Sequence, residues 1–210
     1  SGVIHRLYKC GYQVLVLECR KPSAIRRKVS FGEAVFDGIS SVEGVTGRLI
    51  EDVSECQKVW EAGEVPILVD ETGKVIKELR PDALIDAILA KRNLGTTREM
   101  APLTVALGPG FEAGKDVDFV IETQRGHNLG RVIRKGSATP NTGIPGVIAG
   151  YGKERVIHSP AAGIMHNLSQ IGDIVEKDQI IAMVDATPVY ASLTGVLRGI
   201  IRDGYEVPKG

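Results

Sequence analysis

The chain has 210 residues, in which 26 lysines and arginines balance 26 aspartates and glutamates. The length suits two modest domains, and the balanced charge gives no bulk electrostatic reason to bind nucleic acid or an anionic membrane. The apolar runs are shorter than the ~20 residues that span a bilayer, no signal peptide opens the chain, and the three cysteines lack metal-ligand spacing. The sequence therefore predicts a reduced, cytoplasmic protein without a metal site.

The first elements resemble part of a dinucleotide-binding βαβ unit. Apolar residues recur at helical spacing up to Gly11, and Gln13–Glu18 is typical of a buried strand. In such a unit a GxGxxG turn precedes the helix, and an acidic residue at the end of the next strand binds ribose hydroxyls. Glu18 occupies the acidic position, and Gly2 would belong to the turn. The first strand and the rest of the glycine turn are expected upstream of Ser1.

Five cations follow Glu18, and they are Arg20, Lys21, Arg26, Arg27 and Lys28. They favour two interpretations equally. One is a docking place for a 2′-phosphate or a second nucleotide moiety beside the ribose site. The other is a solvated helix start with Ser23 as its N-cap.

Strand and helix patterns alternate over the next hundred residues. The patterns predict a helix ending at Gly63, a strand Val65–Asp70, a hairpin arm Lys74–Leu79, a strand ending near Asp86, and strands Leu103–Leu107 and Phe119–Thr123. The segment Pro81–Ala90 fits a strand or a short helix, and we favour the strand. The alternation predicts an α/β fold with a mostly parallel, Rossmann-like sheet covered on both faces over residues 1–150.

Cations and glycine turns coincide where these strands end. Strands run into Gly108-Pro109-Gly110 and into the QRGHNLGR segment, so backbone amides and basic side chains are both available to a phosphate or another oxyanion. The candidate binding residues here are Lys91, Arg92, Asn93, Thr96, Thr97, Arg98, Gly108, Gly110, Arg125, His127 and Arg131, in addition to Gly2 and Glu18.

Catalysis is less well supported than binding. His127 is either a proton shuttle or a structural residue, and acid–base roles for Glu18, Asp86 or Glu122 stay open. No GxSxG, HExxH or Walker A pattern occurs. No catalytic residue is therefore assigned.

The last fifty residues contain a repeat with a constant shift of 32 residues, from Gly163 to Gly195. Each copy is predicted to be a strand, a turn and a short strand. The matched positions are Gly163 with Gly195, Ile164 with Val196, Met165 with Leu197, Leu168 with Ile200, Gly172 with Gly204, Val175 with Val207 and Lys177 with Lys209. Residues 151–210 are therefore predicted to form a small, internally duplicated all-β module.

This repeat resembles the biotinyl/lipoyl barrel-sandwich hybrid, in which two such units interlock. In the carrier proteins of that family a modifiable lysine lies at the hairpin tip between the units. The tip here is Val184–Pro188, and no lysine occurs from Asp178 to Pro208. We therefore expect neither biotin nor lipoate, and we expect the counterpart of the strand Gln179–Val184 to lie after Gly210.

The strings AIRRKVSFGEAVFDG, DAILAKRNLGTTREMAPLTVALGPGF, VIETQRGHNLGRVI and GSATPNTGIPG, followed by the lysine-free repeat, resemble accessory proteins of the selenium-dependent molybdenum hydroxylase system. The resemblance spans nearly the whole chain and is most specific over residues 91–146. It implies a cytoplasmic maturation factor whose partner is a molybdenum hydroxylase of the xanthine-dehydrogenase type.

The resemblance makes molybdopterin, or molybdopterin cytosine dinucleotide, the expected ligand. The residues leave two alternatives: an NAD(P)-dependent oxidoreductase, because of Glu18, and a structural adaptor that binds the apo-hydroxylase without a ligand. Whether the protein is an enzyme, and whether it self-associates, stay open at this level.

Overall fold

The structure is a computed structural model that describes residues 1–143 and 145–210. It is a mixed α/β protein with several sheets and little helix. The residues form two compact units: the first unit contains Ser1–Thr72 and Val147–Gly210, and the second unit contains Gly73–Gly146. The division into residues 1–150 and 151–210 stays a prediction. Ile144, part of the GSATPNTGIPG string, lies outside the described residues.

Three short helices belong to the first unit: α1 (Gly2–Lys9), α2 (Ala34–Asp37) and α3 (Cys56–Glu61). Helix α1 confirms the predicted N-terminal helix, and its Ile4 and Tyr8 pack against the core. A capping box between Asp52 and Glu55 starts the 3-10 turn that leads into α3. No helix within residues 1–143 and 145–210 is long and apolar enough to cross a membrane.

The first unit contains a four-stranded sheet in the order β1-β4-β3-β2, formed by β1 (Val16–Glu18), β2 (Ile39–Val42), β3 (Val45–Ile50) and β4 (Val65–Val69). Strands β1, β4 and β3 are parallel, whereas β2 and β3 form an antiparallel hairpin. This hairpin was not predicted from the sequence. Its signal is the two-residue turn Glu43-Gly44, in which both residues have positive φ, as in a type I′ turn.

Close packing requires a glycine in the middle of β3. A Cβ atom built on Gly47 would lie 2.7 Å from Ile67 Cδ1 and 2.8 Å from Phe31 Cδ1. Both neighbours are completely buried. The strand therefore accepts the low strand propensity of glycine because the core leaves no room for a side chain.

The second unit contains the helix α4 (Val75–Leu79) and a sheet in the order β5-β6-β8-β9. Its strands are β5 (Ala83–Asp86), β6 (Leu103–Leu107), β8 (Phe119–Ile121) and β9 (Val132–Ile133), and a separate ribbon pairs β7 (Glu112–Ala113) with β10 (Gly136–Ser137). Strands β5, β6 and β8 are parallel, and β9 is antiparallel to β8. The predicted strands ending near Asp86 and at Leu107 are confirmed.

The predicted hairpin arm Lys74–Leu79 is wrong, because Val75–Leu79 is helix α4. Val75 and Leu79 are four residues apart and therefore lie on one side of a helix, and Val75 is buried. The expected parallel strands are confirmed, but they lie in two four-stranded sheets instead of one continuous sheet.

The C-terminal part of the first unit contains the β-module, Val156–Gly210. Its strands are β11 (Gly163–Asn167), β12 (Ile174–Val175), β13 (Ile180–Val184), β14 (Thr187–Tyr190), β15 (Gly195–Val196) and β16 (Glu206–Val207). The strands pair in the order β14-β13-β11-β16, with a separate β12–β15 ribbon. The β13–β14 turn consists of Asp185 and Ala186.

The two repeats pair reciprocally. Gly163 lies opposite Val207, and the equivalent residues Gly195 and Val175 lie opposite each other. The backbone hydrogen bonds follow the same rule: Met165 N–H donates to Tyr205 O, and Leu197 N–H donates to Asp173 O. The sequence repeat therefore corresponds to a repeat of backbone pairing, in which each copy supplies the strand that pairs with the other copy.

Candidate functional site

The carboxyl ends of β5, β6 and β8 meet at one edge of the second sheet because these strands are parallel. The loops after them, residues 87–97, 108–111 and 122–131, form the carboxyl-edge site. Its exposed cations are Lys91, Arg92, Arg125 and Arg131. The nearby carboxylates of Asp86 and Glu122 are buried and hydrogen-bonded. The exposed charge of these loops is therefore positive only.

The glycine turn after β6 packs directly on the loop after β5. A Cβ atom built on Gly110 would lie 2.5 Å from Arg92 Cα, and Gly110 has a φ of 111°. A Cβ atom on Gly108 would lie 2.7 Å from Thr123 Oγ1 and 3.6 Å from Leu89 Cδ2. Both predicted glycines are thus places where the loops approach too closely for a side chain.

Asn93 and Thr96 build the loop after β5. The Asn93 side chain accepts hydrogen bonds from the N–H groups of Gly95 and Thr96 and donates one to Thr96 O. Thr96 Oγ1 donates to Asp86 Oδ2 at 2.7 Å. Asn93 and Thr96, which were predicted as phosphate ligands, therefore stabilise the loop that contains Lys91 and Arg92 at the end of β5. Thr97 is exposed and hydrogen-bonds to Glu99, which lowers the pKa of that carboxyl.

The structure directs the Arg98 side chain away from the carboxyl-edge site. Its Nε and Nη2 atoms donate to Asp118 Oδ1 at 2.9 and 2.7 Å, at the amino end of β8. Hydrogen bonds from the Thr104 backbone and from Arg98 lower the pKa of Asp118. Arg98 is therefore a structural partner at the opposite end of the sheet, and the sequence pattern KRNLGTTR could not separate it from Lys91.

The loop from β8 to β9 presents the remaining candidates. Arg125, His127 and Arg131 are all exposed. Glu122 N–H donates to Arg131 O, and Arg131 Nη1 donates to Asn128 Oδ1 at 3.2 Å. Arg131 therefore has a fixed position where the loop enters β9, and His127 lies in the exposed part of the loop.

Glu122 anchors this loop and is not a free acid or base. Its Oε1 accepts from Gln124 N–H, and its Oε2 accepts from the N–H and hydroxyl of Thr139. Burial by itself raises the pKa of Glu122, but hydrogen bonds from Gln124, Thr139 and Thr123 outweigh it and lower the pKa to about 2. The ionised carboxylate thereby joins the end of β8 to the segment after β10.

The carboxyl-edge site also contains residues that the sequence did not predict. Apolar side chains stand exposed among the cations, from 45% exposed for Leu89 to 65% for Ile88. Leu89 and Lys91 also have φ values of 60° and 63°, which are uncommon for side-chain-bearing residues. Once β5 is known to end at Asp86, the apolar pair Ile88-Leu89 can be read as exposed. The other exposed apolar residues are Leu94 and Leu129.

Gly2 and Glu18 lie in the first unit, whereas the other eleven candidates lie in the second unit. Glu18 ends β1, its Oε1 accepts from Cys19 N–H at 2.9 Å, and its Oε2 lies 3.2 Å from a Cβ atom built on Gly32. Gly2 begins α1 and has open space around it. Glu18 therefore lies at the carboxyl end of a parallel strand, and ribose binding there stays a prediction.

Two of the five cations after Glu18 donate hydrogen bonds to backbone carbonyls of the β-module. Arg27 Nε donates to Ile200 O at 2.9 Å, and Lys28 Nζ donates to Ile171 O at 2.5 Å. The segment does not form a helix that starts at Ser23, since Arg27–Val29 is a 3-10 turn, and Arg20, Lys21 and Arg26 remain exposed. The docking of a 2′-phosphate beside Glu18 stays a prediction. The sequence could not show that Arg27 and Lys28 pack against residues more than a hundred positions away.

A cleft of about 440 Å³ in the first unit contains none of the predicted residues. It is lined by Tyr8, Tyr12 and Trp60 together with polar side chains, and the Tyr8 hydroxyl and Trp60 indole N–H donate to backbone carbonyls. We place the candidate site at the carboxyl edge of the second sheet because charge and close loop packing coincide there. Within the described ranges, no group of three histidine, cysteine or acidic residues could hold a metal ion.

No protein-family model and no solved structure matches the chain. The chain is 50% identical over 210 residues to a protein of Escherichia coli (strain K12) named "Uncharacterized protein YqeB". The match covers 100% of this chain and 39% of the relative. The chain is thus similar along its whole length to a relative of which it spans about two fifths.

Proposed function

We propose that the chain belongs to an accessory protein for the maturation of selenium-dependent molybdenum hydroxylases, and that it binds molybdopterin or its cytidylated form at the carboxyl-edge site. The observation that carries this proposal is the exposed charge of the three loops. Lys91, Arg92, Arg125 and Arg131 are exposed, whereas both nearby carboxylates are buried and already hydrogen-bonded. A phosphate-bearing ligand at these loops is attracted by the cations and is not repelled by an exposed carboxylate of the loops.

The arrangement of the loops suits a phosphate in two further ways. Arginine side chains can hold phosphate oxygens with two parallel hydrogen bonds. The Gly108–Gly110 turn offers a backbone without side chains beside Arg92, so a bulky anion can approach closely. The exposed apolar residues Leu89 and Leu94 suit the heterocyclic part of a pterin or nucleotide.

Calorimetric titration with molybdopterin cytosine dinucleotide, and with cytidine diphosphate as a stable probe, tests this proposal. Arg92→Ala and Arg131→Ala should each weaken binding about three- to tenfold because each removes a charge-assisted hydrogen bond. Lys135→Ala removes an exposed cation that follows β9, away from the three loops, and should leave the affinity unchanged. Absence of saturable binding by either ligand would rule the proposal out.

We assign the β-module a docking role toward the apo-hydroxylase and propose that it is a lipoyl-like barrel-sandwich hybrid without carrier function. The reciprocal pairing of the repeats supports the architecture. The residues at the hairpin tip, Asp185 and Ala186, offer no amine for biotin or lipoate attachment. Capture of an apo-hydroxylase by the full chain, retained after Arg92→Ala, would support docking independently of ligand binding.

A second candidate function is NAD(P)-dependent oxidoreduction, in a Rossmann-like first unit. The position of Glu18 at the carboxyl end of β1, beside Gly32, favours it. Titration with NADPH, followed by nicotinamide fluorescence, should then give saturable binding that Glu18→Gln weakens and Glu43→Gln does not, since Glu43 lies in the exposed β2–β3 turn. Equal affinity in both variants would exclude this site.

A further inference from the structure

The cleft of about 440 Å³ in the first unit lies at the amino end of the sheet of that unit. Its lining residues Gly11–Gln13 precede β1, and Glu64 directly precedes β4. Tyr8 and Trp60 belong to the last turns of α1 and α3, the helices that lead to these two strands. The lining residues come together because β1 and β4 are parallel neighbours, so both helices end at the same edge. We call this place the amino-end cleft.

Three aromatic side chains line the amino-end cleft, and two of them have fixed positions. The Tyr8 hydroxyl donates to Gly63 O at 2.7 Å, and the Trp60 indole N–H donates to Val14 O at 3.0 Å. The donors of both side chains are therefore used, and what they contribute to the cleft is ring surface. Tyr12 adds a third ring, which is 64% exposed. Aromatic surface of this kind suits a planar ring, which is stabilised by stacking.

The unpaired charge of the cleft lining is positive. Arg48 donates from Nε and Nη2 to the two carboxylate oxygens of Glu64, which lowers the pKa of that carboxyl and keeps it ionised and paired. Lys9 is exposed, and its Nζ lies 6.0 Å from the centre of the Tyr8 ring. Within the described ranges, Lys9 forms no ion pair. An anionic group in the cleft is therefore attracted by the Lys9 ammonium and is not repelled by an unpaired carboxylate of the lining.

Gln13 supplies a polar group that can recognise the edge of a ring. Its side-chain amide is exposed and has no hydrogen-bond partner in the part of the chain that the structure describes. An amide presents a donor and an acceptor side by side, and this arrangement pairs with the N6 and N7 atoms of adenine. The last carbonyls of α1 already accept from the N–H groups of Cys10 and Gly11, so the helix end is not a cation site.

We propose that the amino-end cleft binds a purine mononucleotide. The base stacks on the rings of Tyr12 and Trp60, and the Gln13 amide pairs with its edge. Lys9 pairs with the phosphate. The volume of about 440 Å³ and the aromatic lining with few polar groups are typical of small-molecule sites. A purine is favoured because its fused rings cover more aromatic surface than a pyrimidine. The proposal depends neither on a ligand at the second sheet nor on NADP at Glu18, which lies at the other end of β1.

Trp60 is the single tryptophan of the chain, so tryptophan fluorescence reports on this cleft directly. Titration of the full chain with AMP should quench this emission saturably, because the base stacks against the indole ring. Adenosine, which lacks the phosphate, should bind about three- to tenfold more weakly. Ribose 5-phosphate, which lacks the base, should not quench the emission. Absence of saturable quenching by AMP would overturn the proposal.

Two exposed side chains test the roles assigned in the cleft without disturbing the core. Tyr12→Ala should weaken AMP binding about tenfold through loss of stacking, whereas Tyr190→Ala, at an exposed tyrosine of the β-module, should bind like the unaltered chain. Lys9→Gln should weaken AMP binding about three- to tenfold and leave adenosine binding unchanged. Lys58→Gln, at an exposed lysine of α3 outside the lining, is its matched control. Equal AMP affinities within either pair would contradict the assigned site.

A further variant separates this site from the carboxyl-edge site. Arg92→Ala, which should weaken binding of cytidine diphosphate, should leave the quenching of Trp60 by AMP unchanged. Loss of AMP quenching in this variant would overturn the assignment of AMP to the amino-end cleft. Conversely, AMP quenching in a chain that does not bind cytidine diphosphate would support the cleft and rule out only the function proposed for the second sheet.

Discussion

The two four-stranded sheets differ in the charge at their carboxyl edges. Each contains three parallel strands and an antiparallel strand at one edge. The residues that end or follow the parallel strands of the first sheet carry mixed charge: the cations Arg20 and Lys21 stand beside the carboxylates Glu18, Glu51, Asp52, Asp70 and Glu71. Those of the second sheet expose only cations. The topology of parallel strands therefore brings loops together at the carboxyl edge of each sheet. The residues in those loops determine the charge of that edge.

The sheets also differ in why each needs a glycine. Gly47 of the first sheet faces the side chains of Phe31 and Ile67 in the core. Gly110 of the second sheet faces the backbone of Arg92 in the exposed carboxyl-edge site. A glycine that serves packing affects stability, whereas a glycine between two binding loops affects stability and ligand affinity together.

Gly110→Ala should have the largest effect. Its methyl group would meet the Arg92 backbone, which cannot rotate away as a side chain can, so we expect about 3 kcal/mol of destabilisation and at least tenfold weaker binding of cytidine diphosphate. Hydrogen exchange of the β6 amides and calorimetry measure the two effects. Gly95→Ala has a comparable positive φ but open space, and its smaller effect should separate the clash from backbone strain.

Glu122→Gln should destabilise the second unit by about 2 kcal/mol, because an amide cannot accept all the hydrogen bonds that the buried carboxylate accepts. The folded pKa of about 2 lies below the ordinary value of 4.5, so this stabilisation is present above pH 4.5 and is lost as the pH falls toward 2. Urea denaturation at pH 6 and pH 3 measures it. A pH-independent difference from the unaltered chain would contradict an ionised anchor, and Glu112→Gln, on the surface, is the matched control.

Asp118→Asn should cost about 1 kcal/mol, because it weakens the pairing with Arg98 and the hydrogen bonds from Thr104 at the amino end of the second sheet. Cytidine diphosphate affinity should stay unchanged, since this pair lies at the end opposite the carboxyl-edge site. Thermal unfolding and calorimetry measure the two quantities. A large loss of affinity would instead place Arg98 in the binding site.

The smallest effects concern exposed charge. Raising the salt concentration from about 0.05 to 0.5 M should weaken cytidine diphosphate binding about three- to tenfold through screening of Arg92 and Arg131. Glu51→Gln, at the carboxyl edge of the first sheet, should change the affinity less than about twofold. Affinity that is insensitive to salt would mean that the apolar residues of the second sheet, and not its cations, hold the ligand.

Local patterns predicted the elements well where one interpretation dominated. Helix α1, strand β4 and strand β6 follow from apolar spacing, and glycines end α1 and β6. Val75–Leu79 was assigned incorrectly because short apolar runs fit a strand and a helix alike. The hairpin Ile39–Ile50 was missed because only Glu43-Gly44 marks its turn.

The sequence predicted the location of the candidate site better than it predicted which residues belong to the site. Parallel strands bring Lys91, Gly108 and Arg125 to one edge, as expected from strand order. The sequence could not separate Asn93 and Thr96, which hold the loop, from residues with free polar atoms. Such a distinction depends on hydrogen bonds to groups such as the Asp86 carboxylate, and those are set only when the chain folds.

The sequence by itself determined the parallel strands, the cationic loops and the 32-residue repeat, because these depend on spacing along the chain. Tertiary structure alone decided that residues 147–210 join residues 1–72 in one compact unit and that Arg98 pairs with Asp118. It also decided that Ile200 N–H donates to Ile25 O. The physical reason is that such long-range contacts form between backbone and side-chain groups whose separation depends on the packing of the whole unit.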